Sequence, residues 1–233
     1  MKKYTFKIMF AIAAFFMPMF ANAQTYEVYK SNGEKVVYNY NDVDSIVFKA
    51  AAKPTPDENC VDLGLTSGIR WATCNLGATA CNEAGDYFAY GDLAPKDEYT
   101  PDNCPAYLDG SVADIYGYPQ YDAAMEILGE GWRMPSYDDM HELEQECTWE
   151  WSDVDGVVGY KVIGPNGNSI FLPVTGCMDY SELKYSAFNG LYWSGSSVDA
   201  QNSFCLLFDY EMHTCFVSDF RYKGFAIRPV KVD

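Results

Sequence analysis

Histidine is nearly missing from this chain: two residues in 233, His141 and His213. None of the eight cysteines falls in a Cys-x-x-Cys pair, so a zinc site is not expected, and no metal or cofactor is implied. Basic residues are scarce, 16 against 33 acidic, for a formal net charge of −17. Such a surface repels nucleic acid and anionic lipid, which makes both poor partners. After residue 20 no apolar run approaches the roughly 20 residues that a membrane-spanning helix needs, so no membrane span is expected. No Ser-His-Asp arrangement and no pair of glycosidase-type carboxylates stands out. His141 falls on the polar face of a helix, where a solvated imidazole is far more common than a general base. The chain reads as a non-enzyme.

What is present begins with an export signal. Lys2, Lys3 and Lys7 precede an apolar run from Ile8 to Phe20, and Ala21-Asn22-Ala23 fits the small-x-small cleavage rule. Residues 1–23 are therefore read as a signal peptide, with Gln24 opening the mature protein, exported to the periplasm, the cell surface or the medium. Cleavage leaves 210 residues and removes three lysines; 13 basic then face 33 acidic residues, a charge of −20. All eight cysteines remain, and an even number in an exported chain argues for disulfides of undetermined connectivity.

Residues 24–49 read as a small β module: TYEVYK and EKVVYNY flank Asn32-Gly33, a strong hairpin signal, and Asp42 to Phe48 adds a helical turn or a third strand. Residues 50–59, with Pro-x-Pro and small side chains, suit an extended linker. Residues 60–233 form the main domain. Short strands and turns open it, and a Pro-, Asp- and Gly-rich loop runs from Leu93 to Pro119. Helices are predicted over Tyr121–Gly129 and Ser136–Cys147. In the second, Ser136 is the cap, Asp138 and Asp139 occupy the first turn, and Tyr137, Met140, Leu143 and Cys147 line one apolar face. Strands are predicted over 160–163, 169–172, 204–208, 214–217 and 225–230. Helices early and strands late give an α+β fold.

Six segments occur in a fixed order: VDLGL…RWATCNLGA from Val61, GDYFAYGD from Gly85, GWRMPS…LEQECTW from Gly131, GYKVIGPNGNSIFLP from Gly159, LYWSGS from Leu191 and GFAIRPV from Gly224. Together they resemble the Fibrobacter succinogenes major paralogous domain, a family of secreted Bacteroidetes proteins, over almost all of residues 60–231. The resemblance implies a C-type lectin-like fold and a secreted or surface binding role. Relatives on that fold include variable proteins of diversity-generating retroelements and formylglycine-generating oxidases. Asn, Tyr, Asp, Ser, His, Phe and Cys, which interchange when an Asn codon's adenines mutate, crowd Ser203 to Tyr222. The calcium signatures Glu-Pro-Asn and Trp-Asn-Asp of sugar-binding relatives are missing, which disfavours calcium-dependent binding. Cys74 and Cys147 lie in the matched WATCN and ECTW segments; the resemblance makes them a candidate disulfide, closing a loop worth about 4 kcal/mol in the chain-entropy model. Cys205 and Cys215 are a second candidate pair, either a staple, a product of diversification, or the two thiols that an oxidase would need. Arg133 and Arg228 read as structural donors to backbone carbonyls or a carboxylate.

Binding is expected on the C-terminal face. Residues 180–225 hold 12 aromatic residues in 46 positions, against 32 in the 210 of the mature chain, an enrichment that suits recognition of a glycan or a protein. Trp193, Phe208, Phe216 and Phe225 are expected in the core. Tyr180, Tyr185, Tyr210, Phe220 and Tyr222 lie among turn-forming and polar residues and are the candidate ligand contacts, with Asp209, His213 and Asp219 as polar companions. Two other readings stand beside this one: a relative of the formylglycine-generating oxidases, and a fimbrial or matrix subunit assembled through residues 24–48.

Overall fold

The computed structural model describes residues 25–29, 35–39 and 59–232. The chain divides into two compact units, residues 2–53 and 54–233. In the smaller, β1 (Thr25–Tyr29) pairs antiparallel with β2 (Lys35–Asn39), Tyr29 facing Lys35. The predicted signal peptide, the element over 42–48 and the linker over 50–58 lie outside the described residues.

The larger unit is α+β with antiparallel sheets. Four short strands, β3 (Cys60–Asp62), β4 (Arg70–Ala72), β5 (Trp132–Arg133) and β14 (Val230–Lys231), form one sheet in the order β3-β4-β14-β5, bringing the two ends of the unit together. A meander starts at residue 148: β6 (Thr148–Val154), β7 (Val157–Ile163) and β8 (Ser169–Pro173). The turn between β6 and β7 is Asp155-Gly156, both at positive φ (52° and 83°), the backbone that a tight hairpin demands. A small hairpin, β9 (Cys177–Asp179) and β10 (Glu182–Lys184), precedes the last sheet, β11 (Gly190–Ser197), β12 (Asn202–Phe208) and β13 (His213–Phe220).

Three helices pack on these sheets: α1 (Pro105–Asp109), inside the predicted loop, α2 (Ala123–Leu128) and α3 (Tyr137–Glu146). Helix α3 starts where the sequence places it. Ser136 accepts from the Asp139 amide, and Asp139 accepts from the Ser136 amide, a reciprocal cap that satisfies two otherwise orphaned donors. Met140 and Leu143 are buried, with Tyr137 and Cys147 packed at the core margin.

The sheet β11-β12-β13 separates two cores. Tyr192, Leu206, Phe208 and Cys215 join Leu63, Trp71, Leu143 and Val162 in the first. Leu191, Trp193 and Cys205 join Phe88, Tyr99, Ile115 and Phe225 in the second. Alternation along extended strands sends neighbouring side chains to opposite faces, and here each face is covered.

Three expectations are corrected. Residues 225–230 are not one strand: Phe225 bridges Phe88, Ala226 bridges Tyr192, and Ile227 and Pro229 accept from the Leu76 and Ala72 amides, so the segment shares its backbone among several neighbours. Phe216 is not core but 62% exposed. The register explains why: Cys205 faces Val217 and Leu207 faces Thr214, so Cys215 and Phe216 both stand opposite Leu206. This β-bulge turns Cys215 inward and Phe216 out. The candidate disulfide partners are also not joined in this structure. Cys205 and Cys215 face different cores. Cys74 lies within electrostatic reach of Arg228, whereas Cys147 caps the end of α3 beside Glu146 and Glu142.

The arginines hold loops together. Arg228, fully buried, donates to Asn75 Oδ1 and to the carbonyls of Ala72, Thr73 and Phe171. Arg133 forms a two-pronged pair with Asp139, which ties β5 to the cap of α3.

Candidate functional site

Strand β13 ends at Phe220, and the turn that follows, closed by the Lys223 amide donating to the Phe220 carbonyl, builds the site. Arg221 points inward and is fully buried; it donates to Ser203 Oγ, Ser197 Oγ and the carbonyls of Ala106 and Val112, with its guanidinium 4.8 Å over the Tyr90 ring. With that residue fixed, Phe220 and Tyr222 both face the other way. Their rings stack, centroids 5.6 Å apart at 16°. Tyr107 of α1 meets both edge-on, at 5.4 Å from Tyr222 and 6.3 Å from Phe220, and Tyr180 meets Tyr222 at 6.3 Å. The result is a four-ring platform on which Phe220 and Tyr180 are exposed and Tyr222 is half-buried.

Tyr180 occupies the two-residue turn of the β9–β10 hairpin at φ 56°, a conformation that favours glycine and that a bulky side chain rarely adopts. Paired backbone hydrogen bonds with Tyr99, 2.9 and 3.0 Å, hold it there. Strain maintained at an exposed tyrosine is a pattern found at functional sites. Tyr185 is also exposed at positive φ (59°), in the turn after β10.

Charges frame the platform. Lys223 pairs with Asp219 and Lys184 with Asp179, each at 2.8 Å. Burial pulls the Lys223 pKa down, but its hydrogen bond to Asp219 and the surrounding negative charge raise it on balance. Burial raises the Tyr222 phenol, helped by Asp179. Asp179 Oδ1 is buried without a hydrogen-bond partner.

The eight expected contacts thus do not form one surface. Tyr180, Asp219, Phe220 and Tyr222 converge. Asp209, Tyr210 and His213 sit at the opposite end of β13, about 20 Å away at ~3.3 Å per extended residue. There His213 stacks on Trp149 (4.4 Å, 10°) and Tyr210 meets Trp151 edge-on (6.0 Å). Tyr107, Asp179, Lys184 and Lys223 were not anticipated; Tyr107 lies in a stretch that reads as loop, and only the fold carries it to the end of β13.

A third group surrounds the β-bulge. Cys215 donates its thiol to Glu144 Oε2 at 3.0 Å, and its amide donates to the same oxygen at 3.1 Å. His141 Nδ1 lies 4.0 Å from the sulfur. Burial, reinforced by Glu144, pushes the thiol pKa up to about 12. His141 is not the free surface imidazole that its helical position implies. It is half-buried, stacked on Tyr137 (5.8 Å, 12°) and met edge-on by Phe216 (5.2 Å). Cys205 and Cys215, the two thiols that an oxidase would need together, do not share a cleft. An open pocket of about 430 Å³ elsewhere is lined by Val61, Ile170, Phe171, Cys81 and Lys161 among others.

No family model, no curated protein and no solved structure matches the chain.

Proposed function

We propose that the protein is an exported, non-enzymatic binding protein whose main domain has a C-type lectin-like fold and captures a glycan or protein ligand on the platform of Tyr107, Tyr180, Phe220 and Tyr222. The observation that carries this reading is the platform itself. Stacked rings offer a flat apolar face at small entropic cost, and the two charge pairs beside it supply donors and acceptors at fixed positions. A pyranose ring presents the matching chemistry, an apolar C–H face rimmed by hydroxyls; an aromatic-rich peptide loop does so as well. A ligand hydroxyl reaching in past Lys184 would satisfy Asp179 Oδ1. Buried polar atoms without partners are costly, so such a contact adds affinity.

A glycan array and a pull-down from surface proteins, each probed with residues 24–233 and with the double variant Tyr180→Ala/Phe220→Ala, test the proposal. Binding by the parent chain and its loss in the variant, with an unchanged melting temperature, is the expected result. Silence in both assays, or capture that the variant retains in full, rejects it.

A further inference from the structure

We propose that His141, Glu144 and Cys215 form a binding site for one zinc-class divalent cation, separate from the aromatic platform. The two helical ligands are three residues apart on α3, which puts them on one face of the helix. The third comes from β13, where Cys215 stands opposite Leu206 and shares its face of the sheet, the face that packs on α3. One ligand atom from each of the three residues lies within 4.8 Å of the others. A tetrahedral ion with bonds of about 2.0–2.3 Å needs its ligand atoms about 3.4–3.6 Å apart. The sulfur stands 3.0 Å from the Glu144 carboxylate and 4.0 Å from the imidazole, on either side of that value. The three atoms, all within 4.8 Å of one another, reach tetrahedral spacing with side-chain shifts of about 1 Å, and His141 and Glu144 are not fully packed.

The donor set selects the metal class. Calcium and magnesium take oxygen ligands and leave thiolate aside, whereas one imidazole, one carboxylate and one thiolate suit zinc. Three protein ligands leave one tetrahedral position for water or an incoming donor. The surroundings hold the ligands in place. Tyr137 and Phe216 clamp the imidazole from its face and its edge, and the Cys215 amide fixes Glu144 Oε2. His141 and Glu144 are only partly buried, so an ion has a route in. On binding, the sulfur–metal bond replaces the S–H bond, and the proton leaves to solvent with no change of oxidation state. Cys215 and Phe220 are five residues apart on one strand, about 16 Å at extended spacing. The cation site therefore stands or falls independently of the platform.

Cobalt(II) titrated into the reduced, purified chain reports the site directly. The expected result is a sulfur-to-cobalt charge-transfer band in the near ultraviolet at one equivalent, abolished when zinc is added. Cys215→Ser should eliminate the band, and Cys147→Ser should leave it intact. His141→Asn and Glu144→Gln should each weaken zinc binding, measured calorimetrically, at least tenfold, since losing even an outer-shell partner costs about 10–100-fold. Those two half-buried positions also carry the test if Cys215→Ser fails to fold. No band in the parent chain, a band that survives Cys215→Ser, or parental zinc affinity in both other variants overturns the proposal.

Discussion

Phe208 and Tyr210 are two residues apart, yet they live in different environments. Phe208 is fully buried, stacked near Tyr192 at 5.8 Å and facing Gly190 across the sheet, whereas Tyr210 is 71% exposed at the β12–β13 turn. Phe208→Ala should cost about 3–5 kcal/mol, the usual penalty for emptying an aromatic core site. Tyr210→Ala should stay within about 0.5 kcal/mol. It should also leave capture on the platform intact, because its ring packs near Trp151 at the far end of β13. Chemical denaturation of the two variants checks the first pair of values. A Cβ added at Gly190 would fall 2.0 Å from the Phe208 ring, so Gly190→Ala should cost about 1–3 kcal/mol through overpacking. In Gly190→Ala/Phe208→Ala the clash disappears with the ring. The double variant should be more stable than the sum of the single losses implies, and strict additivity would show that the two positions do not share space.

Elements divide by how local their causes are. The cap of α3 was legible because Ser136 and Asp139 act within four residues, and Ser136→Ala should cost about 0.5–2 kcal/mol, read from a thermal melt. The antiparallel pairing of β1 with β2, and the strands on either side of residues 164–168, were legible from short-range pattern as well. Strand β6 was missed although Asp155-Gly156 marks its turn, since Thr148–Val154 alternates polar residues with tryptophans and half-buries them. The bulge was illegible: nothing in HTCFVSDF says that two residues will share one partner, so a strict period of two put Phe216 inside. The cation site was hidden for another reason: His141 and Glu144 lie 74 and 71 residues from Cys215, and only the packing of α3 on β13 brings them together. The platform was half legible, its tyrosines betrayed by composition and its Tyr107 edge by nothing local. A shorter-range element offers a pH test. Glu83 accepts from the Thr79 amide and hydroxyl and from the Ala80 amide, and these bonds lower its pKa below the ordinary 4.5. A carboxyl whose folded pKa is depressed stabilises the turn above its unfolded pKa, and the contribution is lost as pH falls through the folded value. Amide signals of Thr79 and Ala80 should therefore move as pH drops below about 4.5, and in Glu83→Gln they should stay put.

Across the whole larger unit, the sheet β11-β12-β13 is the shared wall of two cores, and this arrangement dictates how the protein comes apart. Tyr192 and Phe208 belong to one side, Trp193 and Cys205 to the other, on the same strands. Losing either core exposes one face of the sheet, and a strand cannot keep its opposite face ordered once its backbone ladder opens. The buried arginines add to the coupling: Arg228 ties the loop after β4 to β8, and Arg221 ties α1 and its following loop to β11 and β12. The two cores should therefore unfold as one cooperative unit, even though the main domain exceeds the ~150 residues within which two-state behaviour is usual. Phe225, fully buried and stacked on Trp193 at 4.2 Å, reports on the second core as Phe208 does on the first. Phe225→Ala and Phe208→Ala should each cost about 3–5 kcal/mol and lower the midpoint of a single transition, with tryptophan fluorescence and far-ultraviolet circular dichroism tracing coincident curves. If Phe225→Ala instead splits the transition, with one probe moving and the other holding, the sheet is a seam between two folding units rather than a wall common to both.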